Sequence, residues 1–258
     1  MATVIDLNCD MGESWHNETV GQDAALMPHI SSCNLACGVH GGDPATMRRT
    51  ISLAIQHGVA IGAHPSLPGQ ENFGRTPIDL PAAELFEFLL TQVQTLQRAA
   101  SELGAQLQHL KPHGALYNLA TVAEKEAVAV CRICQEVGIK QLFGPPLSQL
   151  ERQAIIHDLN FIPEGFIDRV YANGLQLRSR KLPHAIIRNS ERAAEQAIRF
   201  VTSNTVIDYE GHEHPHSVRT LCIHGDHPEA LDHILAVRAA FKTAGIAVAH
   251  AHLSTRST

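Results

Sequence analysis

The stretch Val4-Ile5-Asp6-Leu7-Asn8-Cys9-Asp10 decides the fold class of this chain. Its side chains alternate, with Ile5, Leu7 and Cys9 on one side and Asp6, Asn8 and Asp10 on the other, which is the two-residue period of a β-strand. In a barrel the apolar side meets covering helices and the polar side looks inward. Three inward polar groups on one strand are costly unless a network or a ligand satisfies them. A polar site inside a barrel is therefore expected, rather than a plain packed interior.

Strand-like runs follow near 33–37, 59–63, 107–111, 139–143, 160–165 and 218–223, with an eighth near 246–250. Between them lie helical patterns near 44–57, 81–103, 121–137, 147–158, 190–203 and 228–244. Pro44, Pro81 and Pro228 sit where first helical turns begin, and Gly58, Gly104, Gly138 and Gly245 follow helices. Strict alternation of β and α segments implies a parallel sheet with right-handed crossovers. The spacing predicts an α/β fold: one closed β/α barrel of about seven strands, a single domain over residues 1–258. An open doubly wound sheet is the alternative.

Composition narrows the function. The chain is 44% hydrophobic and 18% charged, an ordinary globular balance, with a formal net charge of -6. No basic field invites nucleic acid or an acidic membrane, so the expected partner is a small molecule or another protein, a homo-oligomer included. The six cysteines form no paired zinc spacing, and Cys131-x-x-Cys134 falls inside an apolar helical pattern, where it reads as core. The start lacks a basic leader, and no apolar run approaches the roughly 20 residues of a membrane helix. A cytoplasmic location is expected. Two stretches break the rhythm. Residues 166–189 carry the turn signal Asn173-Gly174 and suit substrate contacts, while Gly211-His-Glu-His-Pro-His216 reads as a solvated connection or an adventitious metal binder.

The chemistry concentrates at presumed strand ends. His40, His64, His113 and His224 each adjoin a Gly or Pro at a strand-to-helix junction. A lone histidine is more often structural, but four at matching C-terminal strand ends fall on the face where barrel enzymes work. Lys111 shares a strand face with His113. On the first loop, Asp10 and Glu13 supply a general base and a general acid if burial splits their pKa values; otherwise Glu13 complements a helix N-terminus. Asp43 and Asp226 follow His40 and His224 at similar spacing, either capping the next helix or orienting the histidine. Asp168, Arg169 and Tyr171 either clamp a substrate carboxylate through the Arg fork or form a surface pair of little energetic value. The sequence has no GxxxxGK[ST], no GxGxxG after a strand and no GxSxG, which argues against a P-loop nucleotidase, a Rossmann enzyme and a serine hydrolase.

Seven motifs in order carry a resemblance. They are Asp6-Leu-Asn-Cys-Asp-Met-Gly-Glu13, Cys33-Asn-Leu-Ala-Cys-Gly-Val-His-Gly-Gly-Asp43, Gly62-Ala-His-Pro-Ser66, Phe73-Gly-Arg75, Lys111-Pro-His-Gly-Ala-Leu-Tyr-Asn118, Asp168-Arg-Val-Tyr171 and Cys222-Ile-His-Gly-Asp226. In these the chain resembles the LamB/YcsF family from about residue 4 to 245. The resemblance implies a barrel related to the glycoside hydrolase/deacetylase barrels. It also implies the role of the A subunit of 5-oxoprolinase, which works with subunits B and C to open 5-oxo-L-proline to L-glutamate with ATP as co-substrate.

On this reading the catalytic candidates are Asp10, Glu13, His40, His64, Lys111, His113, His224 and Asp226. The candidate substrate contacts are Asn8, Asp43, Arg75, Tyr117, Asn118, Asp168, Arg169 and Tyr171. Two other readings stay open: a metal-dependent amide or acetyl hydrolase with a divalent metal on Asp10, His40 and His64, and a non-catalytic small-molecule-binding subunit.

Overall fold

The computed structural model describes residues 3–16, 18–172 and 176–251. The chain runs β1 (Thr3–Met11), α1 (Asp23–Leu26), β2 (Ser32–Ala36), α2 (Pro44–His57), β3 (Ala60–His64), α3 (Ala82–Glu102) and β4 (His109–Leu110). It continues with α4 (Gly114–Val122), α5 (Glu124–Val137), β5 (Gln141–Gly144), α6 (Gln149–Ile156) and β6 (Asn160–Phe166). The last third is α7 (Ser190–Ser203), β7 (Thr205–Ile207), β8 (Glu213–Pro215), β9 (Thr220–His224), α8 (Ala230–Ala244) and β10 (Ile246–Val248).

Seven parallel strands close a barrel in the order β1-β2-β3-β4-β5-β6-β9, and β9 returns to β1 with Asp6 opposite Thr220 and Asp10 opposite His224. The predicted eighth strand exists, but β10 takes no barrel place of its own. It pairs with β1 only at Thr3–Ile5, on the edge that β9 occupies from Asp6 onward.

The alternation of the first strand is realised. Ile5, Leu7, Cys9 and Met11 belong to the apolar shell beneath the helices. Asp6, Asn8 and Asp10 face inward and find polar partners on other strands. Asp6 accepts hydrogen bonds from the Ser32 and Thr220 hydroxyls, and Asn8 donates to Glu164 on β6 (2.9 Å). Gly62 on β3 makes room for this interior: a Cβ there would lie 2.1 Å from Nε2 of His109.

Local chemistry sets the element ends. The Asp43 carboxylate accepts from the Ala45 and Thr46 N–H groups (2.9 Å each), Pro44 opens α2, and Gly58 closes it in the left-handed conformation. Pro112 carries no N–H, and β4 is two residues long. The chain still tracks β3, because the Lys111 and His113 N–H groups donate to the carbonyls of Ala63 and Pro65 (2.9 Å each). His113 accordingly sits at the N-cap of α4 and not in a strand.

The helix expected over 121–137 divides at Ala123, whose backbone is extended, and its first residues finish α4. Cys131 and Cys134 are free and buried on α5, as core. The histidine-rich connection is a hairpin of β7 and β8: His214 bonds to Asp208 (2.7 Å), while His216 is buried against Tyr171 and Phe200. The Asn173-Gly174 turn lies outside the described residues. No helix among the described residues is long and apolar enough to cross a membrane.

Candidate active site

The C-terminal strand ends open into a cavity of about 640 Å³ lined by Asp10, His64, Lys111, His113, Glu164 and His224, with Arg75, Tyr117, Asn118, Arg169 and Tyr171 also on its wall. Most of the groups singled out in the sequence therefore meet in one place, and they divide into three clusters.

The first is built on Lys111. Its ammonium group is buried and donates to Asp10 Oδ1 (3.0 Å), approaches Glu164 Oε1 (3.0 Å) and Asn8 Oδ1 (3.3 Å), and touches Cys222 Sγ (2.9 Å). Burial opposes both charges of the Asp10–Lys111 pair. The opposing neighbours nevertheless prevail, holding the Asp10 carboxyl well below the usual carboxylate range and Lys111 well above the usual amine. Asp10 belongs to the end of β1 rather than to the loop, and Asn34 fixes it by donating to both Asp10 Oδ1 (2.8 Å) and Asn8 Oδ1 (2.7 Å). The Asn34 side-chain oxygen, Oδ1, in turn accepts from His109 Nε2–H (2.8 Å). Asn8 is consumed by this network below the cavity.

The second cluster is aromatic. His40 stacks on His113 with ring centroids 3.7 Å apart and planes 4° apart, and His64 meets both rings edge-on. His64 Nδ1–H donates to the Lys111 carbonyl (2.7 Å), and His113 Nε2–H donates to the Phe73 carbonyl (2.9 Å). Their other nitrogens face each other at 3.0 Å. Glu13 Oε1 lies 3.5 Å from His40 Nε2 and 3.7 Å from His113 Nδ1; it contacts histidines, not a helix N-terminus. Burial lowers the pKa of His40 and of His113 well below the usual imidazole range, and burial together with Asp10 raises that of Glu13. The ligand-type groups that converge among the described residues are Glu13, His40, His64 and His113 in one set and Asp10, Cys222 and His224 in another. Of the predicted metal trio, His40 and His64 fall in the first set and Asp10 in the second, with Asp10 Oδ2 3.3 Å from His64 Nε2.

The third cluster is a carboxylate–imidazole pair. His224 Nδ1–H donates to Asp168 Oδ2 (2.7 Å), which also accepts the His224 N–H (3.1 Å) and lies 3.4 Å from His227 Nε2. Burial works against the Asp168 carboxylate, but His224 and His227 outweigh it and hold its pKa well below the ordinary value. His224 is oriented by Asp168 and not by Asp226. Asp226 instead pairs with Arg75 (2.7 Å), and Asp43 is spent on capping α2 and on the His16 N–H (2.6 Å).

The expected carboxylate clamp is differently used. Arg169 donates to the carbonyls of Ala185 (3.3 Å) and Arg178 (2.7 Å), which ties the 166–189 excursion together, and burial pulls its pKa down to about 10. The Tyr171 hydroxyl accepts the Phe166 N–H (2.9 Å). The cationic fork at the cavity wall belongs to Arg75, with Arg180 beside Asp226 at 3.8 Å. Sequence reasoning missed Asn34, Glu164 and Cys222. Each lies at an inward position of a strand pattern, and Asn34 and Cys222 also fall inside motifs that carry the resemblance.

Comparisons with known proteins agree with this architecture. The chain is 43% identical over 245 residues to a Symbiobacterium thermophilum protein named as the A subunit of 5-oxoprolinase, covering 95% of this chain and 94% of that one. A Bordetella pertussis protein of the same name is 41% identical over 249 residues, with 96% and 99% covered. The crystal structure of a lactam utilization protein from Thermus thermophilus superposes with a TM-score of 0.90 at 36% identity, covering 96% of this chain and 99% of that one. The profile described as the LamB/YcsF family matches residues 5–256, and with these relatives it places the chain in the LamB/YcsF family.

Proposed function

We propose that this chain is the A subunit of an ATP-dependent 5-oxoprolinase, working in the cytoplasm with subunits B and C to convert 5-oxo-L-proline, ATP and water to L-glutamate, ADP and phosphate. The observation that carries the reading is a single cavity lined by a charge-locked Asp10–Lys111 pair and by His224, which Asp168 orients from behind. It occurs in a chain whose relatives are named for this subunit.

A lactam carbonyl is a poor electrophile, and transfer of the ATP γ-phosphoryl group to its oxygen makes the ring carbon open to attack. Asp10, held ionised beside the Lys111 ammonium group, accepts a proton from the water that adds to that carbon. Lys111 stabilises the negative charge that gathers during addition. The C–N bond then breaks as His224, entering the step as imidazolium, delivers its Nε2 proton to the departing ring nitrogen, and a second water hydrolyses the acyl phosphate left behind to glutamate and phosphate. Asp168 holds the imidazole for this transfer through Nδ1. Arg75 and Arg180 on the cavity wall suit the substrate carboxylate. With no P-loop in this sequence, phosphoryl transfer is assigned to the assembly.

The convergence of imidazoles with Glu13 favours one alternative, a metal-dependent amide hydrolase that needs no ATP. The deciding experiment is glutamate release from 5-oxoproline, with and without ATP, by the chain alone and mixed with B and C subunits. Release only in the full mixture with ATP is expected. ATP-independent release by the chain alone, lost with chelator, would replace the reading by the alternative.

A further inference from the structure

We infer that Glu13, His64 and His113 hold one divalent transition-metal cation of the zinc class at the barrel mouth, beside Asp10. The inference goes beyond the oxoprolinase reading and does not depend on it, because cation binding is measurable on the isolated chain.

Hydrogen-bond accounting sets the tautomers of the two rings. His64 commits its Nδ1 proton to the Lys111 carbonyl and His113 commits its Nε2 proton to the Phe73 carbonyl. A carbonyl only accepts, so each ring must present hydrogen to it. In neutral imidazoles this leaves lone pairs on His64 Nε2 and His113 Nδ1, which face each other at 3.0 Å. Two lone pairs at that distance repel unless something positive sits between or beside them. The carbonyl-anchored outer nitrogens are the arrangement that fixes the tautomer and ring direction of metal-binding histidines.

The third ligand atom is Glu13 Oε1, 3.7 Å from His113 Nδ1 and in the same convergent set. Zinc bonds of about 2.0–2.1 Å in a tetrahedron put neighbouring ligand atoms roughly 3.4 Å apart, and the 3.0 and 3.7 Å separations bracket that value. Two imidazoles and a carboxylate leave one position open, as in a catalytic rather than a structural zinc site.

His40 is not the fourth ligand. Its ring lies parallel to His113 at a centroid separation of 3.7 Å, and a cation in the plane of one ring is out of the plane of the other. His40 is buried, neither of its ring nitrogens has a hydrogen-bond partner, and Nε2 lies 3.5 Å from Glu13 Oε1. It is placed to orient the Glu13 carboxylate toward the cation. Polar groups left unpaired at this depth are costly, and a bound cation that draws Glu13 into place gives His40 a partner.

The rival account is a trapped proton: His64 as imidazolium, donating from Nε2 toward Asp10 Oδ2 at 3.3 Å and His113. Metal analysis separates the two. The purified full-length chain is stripped with a chelator, then titrated with Co²⁺ and Zn²⁺ and followed by visible ligand-field absorption, calorimetry and elemental analysis. One equivalent is expected, with Glu13→Gln and His113→Ala each weakening it by about 100-fold or more while retaining the wild-type circular dichroism. The double variant His212→Ala/His214→Ala, on the β7–β8 hairpin, should bind as the wild type does. No bound equivalent, or one lost only with His212 and His214, overturns the inference. Should Glu13→Gln or His113→Ala fail to fold, X-ray absorption of the wild-type cobalt form decides: two imidazole ligands are expected, and none or one overturns the assignment.

Discussion

Asp168 shows how little of a residue's role is visible until its neighbours are placed. Beside Arg169 in the sequence, it suggests one half of an ion pair; in the fold it turns to β9 and accepts two hydrogen bonds from His224. In the mechanism we propose, its work is to hold Nδ1–H in place so that the opposite nitrogen, Nε2, can carry the proton that is delivered to the substrate. Replacing it with Asn leaves the shape but offers an amide that can present the wrong partner to Nδ1. We expect Asp168→Asn to lower kcat of the assembled enzyme by about 10²–10⁴-fold with KM changed much less. Steady-state kinetics checks this, alongside a thermal melt showing that the variant is folded. An unchanged kcat would remove His224 from the proton-transfer role. Asp226, the orienting candidate by sequence spacing, is instead part of the Arg75 wall of the cavity.

At the scale of elements, the junction after β2 separates capping from catalysis. Asp43 satisfies the first N–H groups of α2 and the His16 N–H, with no carboxylate oxygen left over for the cavity. Asp43→Ala is therefore expected to lower Tm by about 2–4 °C. Its turnover per folded molecule should stay close to wild type; a large loss of turnover in fully folded protein would return Asp43 to the site. The elements themselves were legible wherever the pattern was long. The alternation in β1, the proline and glycine punctuation of α2 and the order of strands all read directly. Reading failed where covalent detail or tertiary pairing overrode pattern: Pro112 cut β4 short, and the pattern over 121–137 ran through the break at Ala123. β10 was displaced because β9 had already taken the edge of β1. The four histidines were visible because they sit at Gly and Pro junctions. Asn34 and Glu164 were not, since their partners lie 24 to 156 residues away and only closure of the barrel brings them together.

The whole molecule is an apolar shell around a polar axis, and that inversion has a consequence for stability. Below the cavity, Asp6 is buried among the hydroxyls of Ser31, Ser32 and Thr220, and burial, aided by Glu164, raises its pKa from 3.8 to about 6 despite those hydrogen bonds. The folded state therefore holds the Asp6 proton more tightly than the unfolded chain does. Below pH 3.8 both states carry it; between about 4 and 6 the unfolded chain releases it first, and stability falls as pH rises through that window. The loss levels off above about pH 6 at roughly 3 kcal/mol, each pH unit between the two values contributing about 1.36 kcal/mol. Asp6→Asn cannot titrate, so the difference in unfolding free energy between variant and wild type should move in the variant's favour by about that amount from pH 4 to pH 7. Any fixed cost of fitting the amide among three hydroxyls offsets both ends equally and leaves the slope intact. Denaturant melts across this range check it, and a flat difference would mean that Asp6 stays ionised inside the barrel, its charge met by the hydroxyl network.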